Sequence, residues 1–142
     1  MIPADSPFHP DNEPGYRAWR ETKLAGYPTQ GEELIVPVKD PGNLTDEEYR
    51  AIWRLIAKTN MAIYATGLGE QEDKEGPRLL SAQFGLTHLD ANWLADDDGI
   101  SQVTVAEGGT RGDFIPYTNR PIGWHTDGYY NPPQRRILGM VL

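Results

Sequence analysis

Ile122-Gly123-Trp124-His125-Thr126-Asp127-Gly128-Tyr129-Tyr130 sets an imidazole and a carboxylate two residues apart and surrounds them with glycine and aromatic side chains. In an extended strand, residues i and i+2 project from one face, so His125 and Asp127 are expected to converge on a common point while Thr126 faces away. An imidazole nitrogen and a carboxylate oxygen are two of the three ligands of a 2-His-1-carboxylate facial triad, which holds non-haem Fe(II) and leaves positions open for other groups. The plainer alternative is a histidine hydrogen-bonded to a neighbouring aspartate at a strand end. Gly123 and Gly128 leave backbone room for a bound ligand on either side, and the apolar run Arg136-Ile137-Leu138-Gly139-Met140-Val141-Leu142 reads as a strand one turn later. Trp124, Tyr129 and Tyr130 are candidates to line a substrate pocket, where an aromatic cage would favour a quaternary ammonium group. Their bland alternative is ordinary packing around a glycine-rich turn.

Spacing alone does not single out His125, because all three histidines of the chain sit in a His-x-Asp: His9-Pro10-Asp11, His88-Leu89-Asp90 and His125-Thr126-Asp127. His9 lies in a proline-rich polar run without strand or helix pattern, the kind of terminal segment expected to be poorly ordered. His88 and Asp90 follow a short helical pattern and suit a hydrogen-bonding turn pair better than a metal site. His125 is set apart by its glycines and by the strand-like run behind it.

The resemblance to a known family is carried by Ile115-Pro116-Tyr117-Thr118-Asn119-Arg120-Pro121 followed by Trp124-His125-Thr126-Asp127-Gly128-Tyr129-Tyr130-Asn131-Pro132-Pro133. This stretch resembles the Fe(II)/2-oxoglutarate dioxygenases of the TauD/TfdA group. The likeness extends back through Phe84-Gly85-Leu86 and Leu89 to Ile100, and more loosely to the N-terminus. It implies an α+β chain, the N-terminal part of a double-stranded β-helix, or jelly roll, with flanking helices, residues 1–142 forming one domain portion. It further implies an oxidoreductase that hydroxylates a small organic substrate, with Fe(II) as metal, 2-oxoglutarate as cosubstrate and O2 as oxidant. The family's His and Asp iron ligands carry onto His125 and Asp127. Its distal histidine and its 2-oxoglutarate-gripping arginine have no counterpart, since no histidine follows His125 and only Arg135 and Arg136 follow Asp127. The chain is therefore expected to supply the His-x-Asp half of an iron site and to be inactive alone. The alternative from another class is a non-catalytic scaffold or assembly subunit that keeps part of the dioxygenase fold.

Composition sets the remaining bounds. With 142 residues, 38% hydrophobic content, four Trp, seven Tyr and three Phe, the chain can build a core. Fifteen Gly and twelve Pro point to many turns. The absence of cysteine removes disulfides and thiolate metal sites and fits a reducing cytoplasm. No apolar run approaches the roughly 20 residues of a membrane span, and Met1-Ile2-Pro3-Ala4-Asp5 lacks the pattern of an export signal. A soluble cytoplasmic protein is expected. The net charge of -8 disfavours generic attraction to nucleic acid.

Along the chain, Tyr16 to Ala25 reads as a short helix stopped by Gly26, and Glu33 to Val38 as a strand that Pro37 places at an edge or ends. Thr45 and Glu48 form a capping box at the start of the clearest helix, in which Tyr49, Ile52, Trp53 and Ile56 recur at i, i+3, i+4 and i+7. That face is expected to be buried. Asn60 to Ala65 then reads as a buried strand, and Gly67 to Gly76 as a charged loop whose glycines do not match a phosphate loop. A short helix from Pro77 to Gln83, stopped by Gly85, precedes an Asp96-Asp97-Asp98-Gly99 turn and an alternating strand from Ile100 to Ala106. The run Arg136 to Leu142, apolar and without polar cap or turn, is expected to need a further segment or another chain to complete its sheet.

Overall fold

Two short strands with a helix between them in sequence are suited to a parallel crossover, and the chain builds one. The computed structural model describes residues 2–67, 74–89, 100–101, 103–106 and 108–142. Its helices are α1 (Glu13–Leu24), α2 (Asp46–Thr59) and α3 (Glu75–Gln83), and its strands are β1 (Ile35–Pro37) and β2 (Ile63–Ala65). The strands pair in parallel, with Ile35 opposite Ile63, Val36 opposite Tyr64 and Pro37 opposite Ala65. A parallel pair cannot close through a hairpin, and α2 supplies the crossover. Two compact units result, Met1–Gln71 and Glu72–Leu142.

In the first unit, α2 starts where the sequence places its cap. The Glu48 backbone N–H donates to Thr45 Oγ1 at 3.2 Å, and the Thr45 N–H donates back to Glu48 Oε2 at 2.7 Å. The second oxygen of the same carboxylate accepts the Lys39 N–H at 2.9 Å, so one side chain both caps α2 and pins the exit of β1. The helix ends on Asn60, whose φ of 62° is a left-handed conformation that asparagine tolerates better than most residues. α2 packs on β1. Val36, Val38 and Ile52 are buried, while Tyr49 and Ile56 are half-buried. Trp53, expected on the buried face, is 44% exposed, and its ring meets Tyr49 edge to face at 6.4 Å. A two-stranded sheet is too narrow to cover the whole apolar face of a helix, and for the same reason β2 leaves Ile63 42% exposed rather than buried.

The N-terminal run is folded rather than loose. Backbone bonds from Ser6 to Pro3, His9 to Ser6 and Asn12 to His9 form successive turns, and Phe8 meets Trp19 of α1 edge to face at 4.9 Å. Asn12 joins these turns to α1: its Oδ1 accepts the Gly15 N–H at 3.1 Å, and its amide donates to the Asp5 and Ser6 carbonyls at 3.1 and 3.0 Å. The C-terminal ends of α1 and α2 are tied by exchanged lysines. Lys23 of α1 donates to the Ala57 carbonyl at 2.8 Å and to Asn60 Oδ1 at 3.1 Å, while Lys58 of α2 donates to the carbonyls of Thr22 and Ala25. Each cation thus meets the partially negative end of the other helix.

In the second unit, Leu80 and Ser81 of α3 and Tyr117 are buried. Gly85, at φ +77°, follows the helix, and the Leu86 N–H returns to the Ser81 carbonyl at 3.0 Å. Single 3-10 turns lie at Thr110–Asp113, Ile115–Tyr117 and Pro133–Arg135. The expected strands around His125 and over residues 136–142 carry no ladder, and neither do the described residues of 100–106; there, the Ala106 N–H does donate to the Tyr117 carbonyl at 2.9 Å. A strand exists only through a paired neighbour, and the described residues offer these segments none. The Asp96-Asp97-Asp98-Gly99 turn lies outside the described residues, as does most of the charged loop after Gly67. No helix among the described residues is long and apolar enough to cross a membrane.

Thr45→Ala is expected to cost about 1 kcal/mol in urea unfolding, the usual loss for an N-cap. The pH dependence of the cap follows from Glu48. Hydrogen bonds from the Thr45 N–H, the Lys39 N–H and the Thr45 hydroxyl hold its carboxyl below the ordinary value of 4.5. A carboxyl lowered in the folded state stabilises fully above its unfolded pKa, and that contribution is lost as pH falls through the lowered folded value. The stability difference between the native chain and Glu48→Gln should therefore be largest at neutral pH and should vanish in acid. A difference that persists unchanged in acid would contradict the role of the carboxylate.

Candidate metal centre

His125 and Asp127 sit in a turn-rich segment, not in a strand, yet their side chains meet: Nε2 of His125 lies 3.5 Å from Oδ1 of Asp127. Both are open to solvent, with side chains 48% and 52% exposed. They meet without a strand ladder, and a turn follows directly behind them. Gly128 takes φ +61°, and the Asn131 N–H closes the turn onto the Gly128 carbonyl at 2.8 Å.

The other ring nitrogen fixes the chemistry of the first. Nδ1 of His125 stands 2.8 Å from the Gly123 carbonyl oxygen. A carbonyl only accepts, so Nδ1 carries the proton, and in the neutral ring the lone pair sits on Nε2, facing the carboxylate. Two acceptors 3.5 Å apart do not attract each other, and the separation exceeds the 2.7–3.2 Å range of an N–H···O hydrogen bond. Solvent reaches both atoms, so a proton, a water or a cation between them would satisfy the pair. Ligand atoms roughly 2.1 Å from a six-coordinate ion and at right angles to one another stand about 3.0 Å apart, so a small side-chain rotation suffices for Nε2 and Oδ1 to share one.

The same test separates the three His-x-Asp pairs. At His9 the Asp11 backbone N–H donates to Nδ1 at 3.2 Å, so in the neutral ring Nε2 carries the proton and has no lone pair for a metal. His9 Nδ1 also lies 3.9 Å from Asp11 Oδ2, which makes this pair a local turn contact. His88 Nδ1 lies 3.3 Å from Thr87 Oγ1, and Asp90 is outside the described residues. Only at His125 do the described contacts leave Nε2 as the free donor atom with a carboxylate in front of it.

A third ligand is not at hand: among the described residues no group of three His, Cys, Asp or Glu side chains could hold a metal ion. The aromatic neighbours are outward-facing. Trp124 is fully exposed, Tyr129 and Tyr130 are 81% and 69% exposed, and the two tyrosine rings meet edge to face at 5.4 Å. Trp124 is therefore not a core residue of this chain. Nearby in sequence, Arg120 is anchored by its Nε to Thr118 Oγ1 and by Nη2 to the Asp113 carbonyl, both at 3.4 Å, while Arg111 lies over the Tyr117 ring at 5.4 Å. The Gly123 carbonyl has no sequence signal beyond its spacing two residues before His125. The turn at Gly128 is marked by glycine and by Asn131-Pro132-Pro133, though nothing in the sequence marks what packs on it.

The chain matches no protein-family model, no curated protein and no solved structure.

Gly128→Ala tests the turn. It would place a side chain at positive φ, with the new Cβ 2.6 Å from Ile137 Cδ1. Strain of this kind costs about 1–3 kcal/mol. The expected outcome is a loss of that size in urea unfolding; a neutral substitution would contradict the close packing over Gly128.

Proposed function

We propose that this chain supplies two iron ligands, His125 and Asp127, to an Fe(II)/2-oxoglutarate-dependent dioxygenase that hydroxylates a small organic substrate. The observation that carries this is the pairing of a free Nε2, its tautomer fixed by the Gly123 carbonyl, with a carboxylate oxygen 3.5 Å away. Beside it stands the resemblance of the residues on either side of the pair to the TauD/TfdA dioxygenases. On the same footing, the proposed whole fold is a double-stranded β-helix, to which this chain contributes an N-terminal part.

In this role His125 offers a neutral nitrogen and Asp127 a hard anionic oxygen, the donor set suited to Fe(II) with open positions. Gly123 holds the imidazole ring in its ligating tautomer, a task that outer-sphere hydrogen bonds perform at metal sites generally. When bound with 2-oxoglutarate and O2, the iron supplies oxidative decarboxylation of the cosubstrate coupled to substrate hydroxylation. Trp124, Tyr129 and Tyr130 present exposed aromatic surfaces beside the ligands, available to a substrate or to a covering segment. On this reading the third ligand and the arginine for 2-oxoglutarate are not found among the residues that follow Asp127 here.

A second reading is favoured by one observation, the lack of any three-donor group among the described residues. On it the chain is a non-catalytic scaffold that retains part of the dioxygenase fold, and the His125–Asp127 contact is an ion pair.

Succinate release with Fe(II), ascorbate and 2-oxoglutarate separates the two. Residues 1–142 alone are expected to give none, because two ligands hold Fe(II) weakly and nothing anchors the cosubstrate. A longer form, or an assembly supplying the missing histidine and arginine, should release succinate, and His125→Ala there should abolish it. Robust succinate from the 142-residue chain would move the ligands to His88 or His9. Loss of Fe(II) binding in the longer form would leave the scaffold.

A further inference from the structure

We propose that Asn131 and Ile137 are positioning residues that hold the Asp127 carboxylate against His125, a role whose chemical consequence rests on the two side chains sharing a metal ion. From residue 121 to 136 every residue is exposed except Gly128 and Asn131, which are half-buried, and the next sheltered residue is Ile137. Those three make one knot. The Asn131 N–H closes onto the Gly128 carbonyl at 2.8 Å, and the Asn131 side-chain amide donates to the Arg135 carbonyl at 3.0 Å. The Arg135 N–H in turn reaches the Pro132 carbonyl at 2.8 Å, forming the 3-10 turn Pro133–Arg135 that leads the chain back to Ile137. Ile137 lies directly on the Gly128 backbone: a Cβ there would stand 2.6 Å from Ile137 Cδ1 and 2.9 Å from both Ile137 Cγ1 and Asn131 Nδ2.

Asp127 is covalently joined to the clamped residue. Nothing on the N-terminal side of Gly128 back to residue 121 is sheltered from solvent, so the knot is what limits the excursion of the backbone carrying the carboxylate. His125 is held differently, through Nδ1 on the Gly123 carbonyl. The two ligands therefore depend on two separate devices, and loosening the knot should move Asp127 while leaving the His125 tautomer intact.

The test uses the full chain with Co(II) as probe and two substitutions, Ile137→Val, which deletes only the Cδ1 methyl over Gly128, and Asn131→Ala, which removes the amide donor. In the native chain, nuclear Overhauser contacts should join the His125 ring protons to the Asp127 β protons. In each variant these contacts should be lost and Co(II) affinity should fall about tenfold, the usual size of an outer-sphere effect at a metal site. The 15N signature of the Nδ1–H tautomer should persist, and unchanged Leu80 and Tyr117 signals would show that the surrounding fold is kept. A merely structural role would move all of these together and overturn the assignment. So would contacts and affinity unchanged in both variants, or contacts missing in the native chain. If the native chain shows the contacts yet takes up no Co(II), the metal pairing fails, and the positioning role is judged by the contacts alone: their loss in the variants supports it and their survival overturns it.

Discussion

A neutral imidazole has one lone pair, and the group bonded to Nδ1 decides where it lies. In this chain the hydrogen bond from His125 Nδ1 to the Gly123 carbonyl turns the lone pair toward Asp127. Without that bond the ring could carry its proton on Nε2, and the same 3.5 Å contact would be an ordinary polar pair. The contrast with His9 is instructive, because the motif is the same and the outcome opposite: there a backbone N–H fills Nδ1 and forces the proton to Nε2 in the neutral ring. Sequence gives the spacing, whereas the backbone group that meets the ring gives the chemistry.

Short-range features were the legible ones. The Thr45–Glu48 box and the start of α2 depend on residues within a few positions of one another, so local rules suffice to place them, and Pro37, read as setting its strand at an edge or ending it, is the last residue of β1. What escaped were contacts between distant positions. Lys39 sits nine residues from the carboxylate it meets, and the exchanged lysines bridge separations of 33 to 37 residues. A lysine in the last turn of a helix announces only that it suits the dipole, not which carbonyls it will find.

Burial was legible in kind but not in extent. The apolar periodicity of α2 correctly names Ile52, but periodicity gives a direction and not the width of what lies opposite. Against a sheet of two strands the outermost members of the stripe stay partly in water. At the candidate site the reverse happened. Strand period is a sufficient reason for residues i and i+2 to meet, but here the side chains meet although the ladder assumed for them is absent from the described residues, and a glycine turn follows them instead. Ile137, which secures that turn, reads in sequence as one more apolar residue of a terminal run.

The most direct test of the account is a long-range 1H–15N correlation of the three histidine rings during anaerobic titration of the chain with Fe(II). His125 is expected to start as the Nδ1–H tautomer with an unprotonated Nε2, and its Nε2 signal to be the first to broaden as iron is added, before those of His9 and His88. An Nε2–H tautomer at His125, or iron that first broadens His9 or His88, would contradict it.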